Sequence, residues 1–298
     1  MIVATATDTA YVEFTGVMLA SLAANAAADF ETVYVFCDGV SAADKAKLAA
    51  SYALPNITFV DLTDEMGVHF GARPVNHHLS RTAYARILMP LNLSEATGRL
   101  LYIDCDTLVN ASLAPLASLS MEGFALAAVD DIAYEVPERH AKRNVDIGLP
   151  AETRYFNSGV LLIDLEKWRA ERVSERTIAF AVERPSLPMM DQDALNGALR
   201  GQWLPLDERW NMHRRLIKGR YLEAPDIWAD ARIVHFIGQI KPNYTDCTHP
   251  ARQLYLDHRA NTPFARAPMK TRWGRKVEKR VRRLRRWFAR LKQKFQKD

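Results

Sequence analysis

Two carboxylates one residue apart, Asp104 and Asp106, interrupt the apolar run from Leu100 to Asn110, Leu-Leu-Tyr-Ile-Asp-Cys-Asp-Thr-Leu-Val-Asn. At a strand end, side chains at i and i+2 point the same way, so the pair could hold one hard divalent cation. Taken alone, an Asp-x-Asp can equally be a strand end that hands over to an acidic turn. Further on, His235 is followed by Gly238 and by Lys241-Pro242. Imidazole can complete a divalent coordination sphere, Gly admits backbone N–H groups to phosphate oxygens, and Lys adds a point charge. By itself, a His at a strand end is more commonly a buried structural residue. Between these stretches stand Asn157-Ser-Gly159, before an apolar run, and Asp191-Gln-Asp193, at the start of a helical pattern, where polar groups can also serve simply as caps.

The elements that position these residues alternate between strand and helix. Leu100 to Ile103 with Leu108 to Val109 reads as a buried parallel-type strand, because a short continuous apolar run needs cover on both faces. Ile2 to Ala6 is a strand ending at Thr7-Asp8, followed by a helical pattern through Val17, Met18 and Leu22. Glu31 to Cys37 and Ile57 to Val60 are further strands, and Ser41-Ala-Ala-Asp44 forms a capping box that opens an Ala-rich helix. Residues 64 to 79 read as a loop and Ser80 to Leu88 as a helix. Phe124 to Val129 is a buried strand ending in Asp130-Asp131, and Ile132 to Arg154, polar and irregular, reads as a functional loop. Tyr155 to Asp164 is a turn feeding a strand, with a helix starting at Leu165. Leu204 to Asn211 and Ile233 to Phe236 are short strand-like pieces. This alternation predicts βαβ units and a parallel sheet.

Composition divides the chain. The 298 residues are 48% hydrophobic, enough for a large α/β core. Three cysteines without CxxC spacing argue against a disulfide framework or a zinc knuckle. Met1 to Ala24 has neither the basic start of a signal peptide nor the unbroken apolar run of a membrane span, which predicts a cytosolic protein. From Arg266 onward there are 15 Lys+Arg against 2 Asp+Glu, a net of +13. The preceding residues hold 25 Lys+Arg against 33 Asp+Glu, a net of −8. The boundary falls near 262 to 268, giving a catalytic domain at 1–262 and a basic tail at 263–298.

Asp-x-Asp, Asn-Ser-Gly, Asp-Gln-Asp and His-x-x-Gly-x-x-Lys-Pro in this order do not co-occur for packing reasons. With them, from Ile2 to about Thr248, the sequence resembles the retaining nucleotide-sugar glycosyltransferases of family 8, in particular bacterial lipopolysaccharide galactosyl- and glucosyltransferases. The resemblance implies a Rossmann-like, glycosyltransferase-A type α/β fold with a single mixed, mostly parallel sheet flanked by helices. It also implies that Asp104, Asp106 and His235 hold Mn²⁺, with Mg²⁺ as the other candidate, against the diphosphate of a UDP-sugar. Ala6, Asp8 and Tyr11 match positions that hold uracil and ribose. Arg86 reaches toward the phosphates and sugar, Cys105 lies within the donor site, and Gly238 and Lys241 clamp the diphosphate. Asp130, Asn157, Asp191 and Gln192 surround the transferred sugar, with Asp130, Asp191 and Gln192 as catalytic candidates. His77, His78 and Asp130 lie on the acceptor side. Two positions depart from the family pattern: Asn243 stands where relatives often carry Trp, and Thr9-Ala10 replaces a more polar pair.

Retention would ordinarily call for a carboxylate nucleophile. The matching position is Gln192, whose amide oxygen is a poor nucleophile, so same-face attack assisted by the leaving phosphate is expected. A nucleotidyltransferase would need a Gly-rich basic loop after the first strand, and Thr7 to Gly16 has one Gly and no Lys or Arg. An inactive membrane- or nucleic-acid-binding relative is the other alternative. In the tail, Trp273, Val277, Val281, Leu284, Phe288, Leu291 and Phe295 recur at helical spacing among Arg and Lys. Such a basic amphipathic helix can lie on an anionic membrane surface. Residues 266–298 are therefore expected to bring the enzyme, as a peripheral protein of the cytosolic face of the inner membrane, to a lipid-linked oligosaccharide acceptor. No nucleic-acid partner is expected.

Overall fold

A computed structural model describes residues 1–62, 81–131, 137–184, 187–213, 226–238, 240–271 and 273–274. His77, His78, the loop expected at 64–79 and nearly all of the basic stripe lie outside the described residues. Strand β1 (Ile2–Asp8) is central. It pairs in parallel with β2 (Val33–Asp38) on one side and β4 (Arg99–Ile103) on the other, while β3 (Ile57–Asp61) extends the β2 edge, also in parallel. Beyond β4, antiparallel β7 (Phe156–Asp164) is followed by β6 (Leu126–Asp130) and by the short β8 (Leu204–Pro205), in the order β3-β2-β1-β4-β7-β6-β8. The sheet is mixed and mostly parallel, as expected.

Alternation along the central strands builds two core layers. Ala4, Ala6, Leu100, Tyr102, Leu161 and Ile163 face one layer, and Val3, Leu101, Ile103, Val160 and Leu162 face the other. The first layer is covered by α3 (Arg81–Asn92), with α7 (Val173–Glu183) and α8 (Met190–Leu199). The second is covered by α1 (Val12–Ala26) and α2 (Ala42–Tyr52), whose cap is the expected one: Ser41 Oγ accepts from Asp44 N–H at 3.1 Å. Each large apolar side chain fully buried this way contributes about 1.5–3 kcal/mol.

Three sequence expectations change. Residues 100–109 form two strands rather than one, because β4 stops at Ile103 and β5 (Thr107–Val109) joins a second sheet. That three-stranded sheet pairs β5 antiparallel with β10 (Ile233–His235) and β10 parallel with β9 (Met212–His213). The stretch 132–154, read as a loop, contains α5 (Pro137–Asp146). Its buried positions are His140 and Asn144, polar residues that carry no apolar period. The segment 204–211, read as strand-like, is mostly not strand: after β8 comes a 3-10 helix at Glu208–Asn211. Short helices α4 (Ala114–Ala117), α6 (Leu165–Ala170) and α9 (Asp226–Asp230), with α10 (Arg252–Ala260), complete the described elements.

Past α10 the chain folds back on the body. Arg259 donates to Ala265 O at 3.0 Å and Ala267 O at 2.6 Å, and Lys270 N–H donates to Asn243 O at 2.9 Å. The departing residue Asn243 is part of this latch. Its Nδ2 donates to Glu13 Oε2 at 3.1 Å, and Glu13 also receives Tyr255 and Arg259. Among the described residues, no helix is long and apolar enough to cross a membrane.

Helix α3 carries Pro90 in its last turn, and Arg169 satisfies carbonyls there: it donates to Pro90 O at 3.3 Å, Leu93 O at 2.6 Å and Ala96 O at 2.7 Å. Arg169→Met keeps the aliphatic stem and removes all three bonds. It should lower stability by about 1–3 kcal/mol in urea unfolding; an unchanged midpoint would show that solvent satisfies these carbonyls equally well.

Candidate active site

The chain crosses from one sheet to the other at Asp104-Cys-Asp106, and both sides of the crossing are pinned. Asp104 N–H donates to Gly159 O at 2.8 Å, continuing the β4–β7 ladder, and Phe236 N–H donates to Asp106 O at 3.0 Å, continuing β5–β10. His235, the last residue of β10, is thereby laid beside both acids. A Cβ at residue 159 would collide with the His235 ring, so the Gly of Asn-Ser-Gly leaves room for the imidazole.

Each acid gives one oxygen to a basic side chain and turns the other toward His235. Asp104 Oδ1 accepts from Arg86 Nη2 at 2.8 Å and from Tyr102 OH at 2.5 Å, while its Oδ2 lies 3.8 Å from His235 Nε2. Asp106 Oδ2 is paired with Lys241 Nζ, while its Oδ1 lies 3.3 Å from His235 Nε2. One ligand atom from each of the three residues falls within 4.8 Å of the others. Burial alone would raise the Asp106 carboxyl; opposing charge, first of all that of Lys241, holds the group well below the usual carboxylate range. Burial works against the charge on Lys241 too, but Asp106 more than offsets it and raises its pKa. An ionised Asp, a second carboxylate and an imidazole on one point suit a borderline-hard divalent cation.

Of the residues expected around the transferred sugar, Asn157, Asp191 and Gln192 are buried and joined in one network. Arg86 Nη1 reaches Ser158 O and Oγ, each at 2.8 Å, and Asp191 Oδ2 at 3.2 Å. Burial raises the Asp191 carboxyl, with Arg86 pulling the other way. Gln192 Oε1 accepts from Ser158 N–H at 3.1 Å, and its Nε2 donates to Asp131 Oδ2 at 3.2 Å and Tyr155 OH at 3.3 Å. Asn157 Nδ2 also donates to Asp131 Oδ2, at 3.2 Å. Asp193 acts as a cap, accepting from Met189 N–H at 2.7 Å and Tyr155 OH at 2.6 Å.

The residues expected to hold the nucleoside sit at the end of β1. Ala6 is buried in the strand, and Asp8 Oδ1 accepts from Ala10 N–H at 2.8 Å and Tyr11 N–H at 3.2 Å, shaping the turn into α1. Burial raises the Tyr11 phenol, with the charge of Lys241 pulling the other way and that of Asp106 adding to the rise. Burial, then Asp106 and Asp104, push the Cys105 thiol well above its ordinary value, so it stays protonated. Gly238 has φ +91, a conformation that side-chain-bearing residues rarely adopt.

Asp104, Asp106, His235, Arg86, Lys241, Asn157, Asp191 and Gln192 are thus linked in one network. Asp130 is not: it pairs with Arg154, which stacks on Trp203, and the neighbouring Asp131 takes the inward place. Sequence reasoning missed Asp131, Tyr102, Tyr155, Ser158 and Asn211 as members. Asp131 and Ser158 adjoin residues that had been singled out, whereas nothing in the sequence marks Asn211.

The glycosyl transferase family 8 model matches residues 2–243. General stress protein A of Bacillus subtilis is 32% identical over 277 residues, covering 86% of this chain and 92% of that protein. The lipopolysaccharide 1,3-galactosyltransferase of Salmonella typhimurium is 27% identical over 244 residues, covering 78% of this chain and 69% of that protein. A crystal structure of the galactosyltransferase LgtC with donor and acceptor sugar analogues superposes with a TM-score of 0.73 at 27% identity, covering 88% of this chain and 96% of that one. A match of this extent decides against the nucleotidyltransferase alternative, and the chain belongs to glycosyl transferase family 8.

Proposed function

We propose that this glycosyltransferase moves a hexose, galactose or glucose, from its UDP-sugar to a hydroxyl of a lipopolysaccharide-type glycan with retention of configuration. The observation that carries the reading is the convergence of Asp104, Asp106 and His235 between Arg86 and Lys241. Relatives named as lipopolysaccharide galactosyl- and glucosyltransferases support the choice of sugar and acceptor class. Asp104, Asp106 and His235 would hold Mn²⁺, with Mg²⁺ as the other candidate, which when bound supplies Lewis-acid stabilisation of the leaving diphosphate.

The chain's own residues account for the rest. Arg86 and Lys241 stand on opposite sides of the acids and bring positive charge to the region where a departing diphosphate gains negative charge. Ala6, Asp8 and Tyr11 hold the nucleoside, with Cys105 and Gly238 completing the donor pocket. Asp191, Asn157 and Gln192 orient the sugar, joined by Asp131. The Gln192 oxygen already accepts the Ser158 N–H, which further weakens it as a nucleophile. The acceptor oxygen therefore bonds to the anomeric carbon on the face that the β-phosphate oxygen leaves, and the acceptor's proton passes to that departing oxygen.

The catalytic unit in this reading runs past the expected boundary at 262 to the latch at Lys270, and the basic residues beyond it attach it to the cytosolic face of the inner membrane. Trp273, the first member of the apolar stripe, is 75% exposed. Basic residues near an anionic surface contribute about 1 kcal/mol each.

Purified protein with Mn²⁺ should release UDP from one UDP-hexose of a panel, and chelator should abolish the release. Asp106→Ala or His235→Ala should lower turnover at least about 100-fold with the circular dichroism spectrum unchanged; full activity in either variant would overturn the assignment. A chain ending at Thr271 keeps the Lys270 latch. It should retain UDP-sugar hydrolysis but no longer float with phosphatidylglycerol vesicles; unchanged flotation would refute the tail's role.

A further inference from the structure

An imidazole can bind a cation only through a nitrogen that carries no proton, and the partner of the other nitrogen decides which one that is. Here the partner of His235 Nδ1 is the side chain of Asn211, 2.8 Å away and fully buried in the 3-10 helix before β9. An amide offers either an acceptor or a donor, and the surrounding bonds fix which. Gly159 N–H, which can only donate, meets Asn157 at 3.0 Å, so the Asn157 atom there is the oxygen Oδ1. The same oxygen faces Asn211 at 2.8 Å, so Asn211 presents its NH₂ to it and its Oδ1 to His235. At the far end, Asn157 Nδ2 donates to Asp131 Oδ2 at 3.2 Å, and the other Asp131 oxygen is held by Arg143 at 3.2 Å. Reversing either amide would set donor against donor or acceptor against acceptor in a buried chain, which is costly.

We propose that Asn211 is a positioning residue: its Oδ1 holds His235 as the Nδ1–H tautomer and keeps Nε2 free to face the two acids as a cation ligand. The inference rests on the metal reading above. It adds a residue beyond the ligands themselves and gives Asn157 a part in orienting the imidazole. Because Asp131 Oδ2 also receives Gln192 Nε2, one carboxylate anchors both this relay and the sugar-side amide.

The test begins with the metal-free full chain carrying ¹⁵N-histidine, the His235 signals being identified as those absent in His235→Gln. The wild-type protein should show the Nδ1–H tautomer at His235; the Nε2–H form would overturn the proposal without any variant at Asn211. Mn²⁺ affinity, read from the electron paramagnetic resonance signal of the free ion, should fall 10- to 100-fold in Asn211→Leu. Asn211→Asp keeps an acceptor toward Nδ1 but sets its second oxygen against Asn157 Oδ1, so it should recover only part of that affinity. Wild-type affinity in Asn211→Leu, or equal losses in Asn211→Leu and Asn211→Asp, would refute the positioning role. Mn²⁺ binding unchanged in His235→Gln would instead refute the metal reading itself.

Discussion

The molecule is arranged around an electrostatic conflict. Asp104, Asp106 and His235 bring acceptor atoms within 4.8 Å of one another in a largely buried place, where like charges repel strongly. Arg86 and Lys241 relieve this from the outside, each taking the oxygen that points away from the imidazole. The inward oxygens keep their direction toward the imidazole. Tyr102 is then tied to Asp104, Ser158 and Asp191 to Arg86, and Phe236 O to Lys241 Nζ at 2.5 Å, so a change at the acids is felt on both sides of the site.

Two sheets are needed to build such a point. The large sheet supplies Asp104 at the end of β4, with Asn157 and Ser158 at the start of the neighbouring β7. The small sheet supplies His235 opposite Thr107. The three-residue crossing between them is what allows acids one residue apart to meet a His far along the chain. Gly159 lets the two sheets approach closely enough, since any side chain there would occupy the space of the imidazole.

Much of this was legible in the sequence, for identifiable reasons. Ile2 to Ala6 announces a strand because it is short, apolar and rich in β-branched residues, and Ser41 with Asp44 announces a helix start because a cap leaves a fixed spacing. The acids and His235 stood out through their combination, in order, with Asn-Ser-Gly, Asp-Gln-Asp and Lys241-Pro242, which packing alone does not call for. An apolar run, in contrast, cannot say which sheet it joins, so Leu108 and Val109 were assigned to the strand before them. Helix α5 hid because His140 and Asn144 form its buried face. Asn211 and Asp131 hid for a related reason: a polar relay across three separate segments leaves no period and no spacing. Which of two adjacent acids turns inward, Asp130 or Asp131, depends on the Arg154 pair and a register shift late in β6, neither readable from residue order.

In the function proposed above, the acids, the imidazole and their flanking cations form a receptor for a cation-bound diphosphate, and the network around Asp191 and Gln192 receives the sugar. Calorimetric titration of the full chain with UDP, in Mn²⁺ and then in chelator, tests that claim most directly. The account predicts tight binding with Mn²⁺ and binding at least tenfold weaker in chelator. Equal affinity under both conditions would contradict it, placing the recognition of UDP in the nucleoside pocket and leaving the convergence of Asp104, Asp106 and His235 without its proposed purpose.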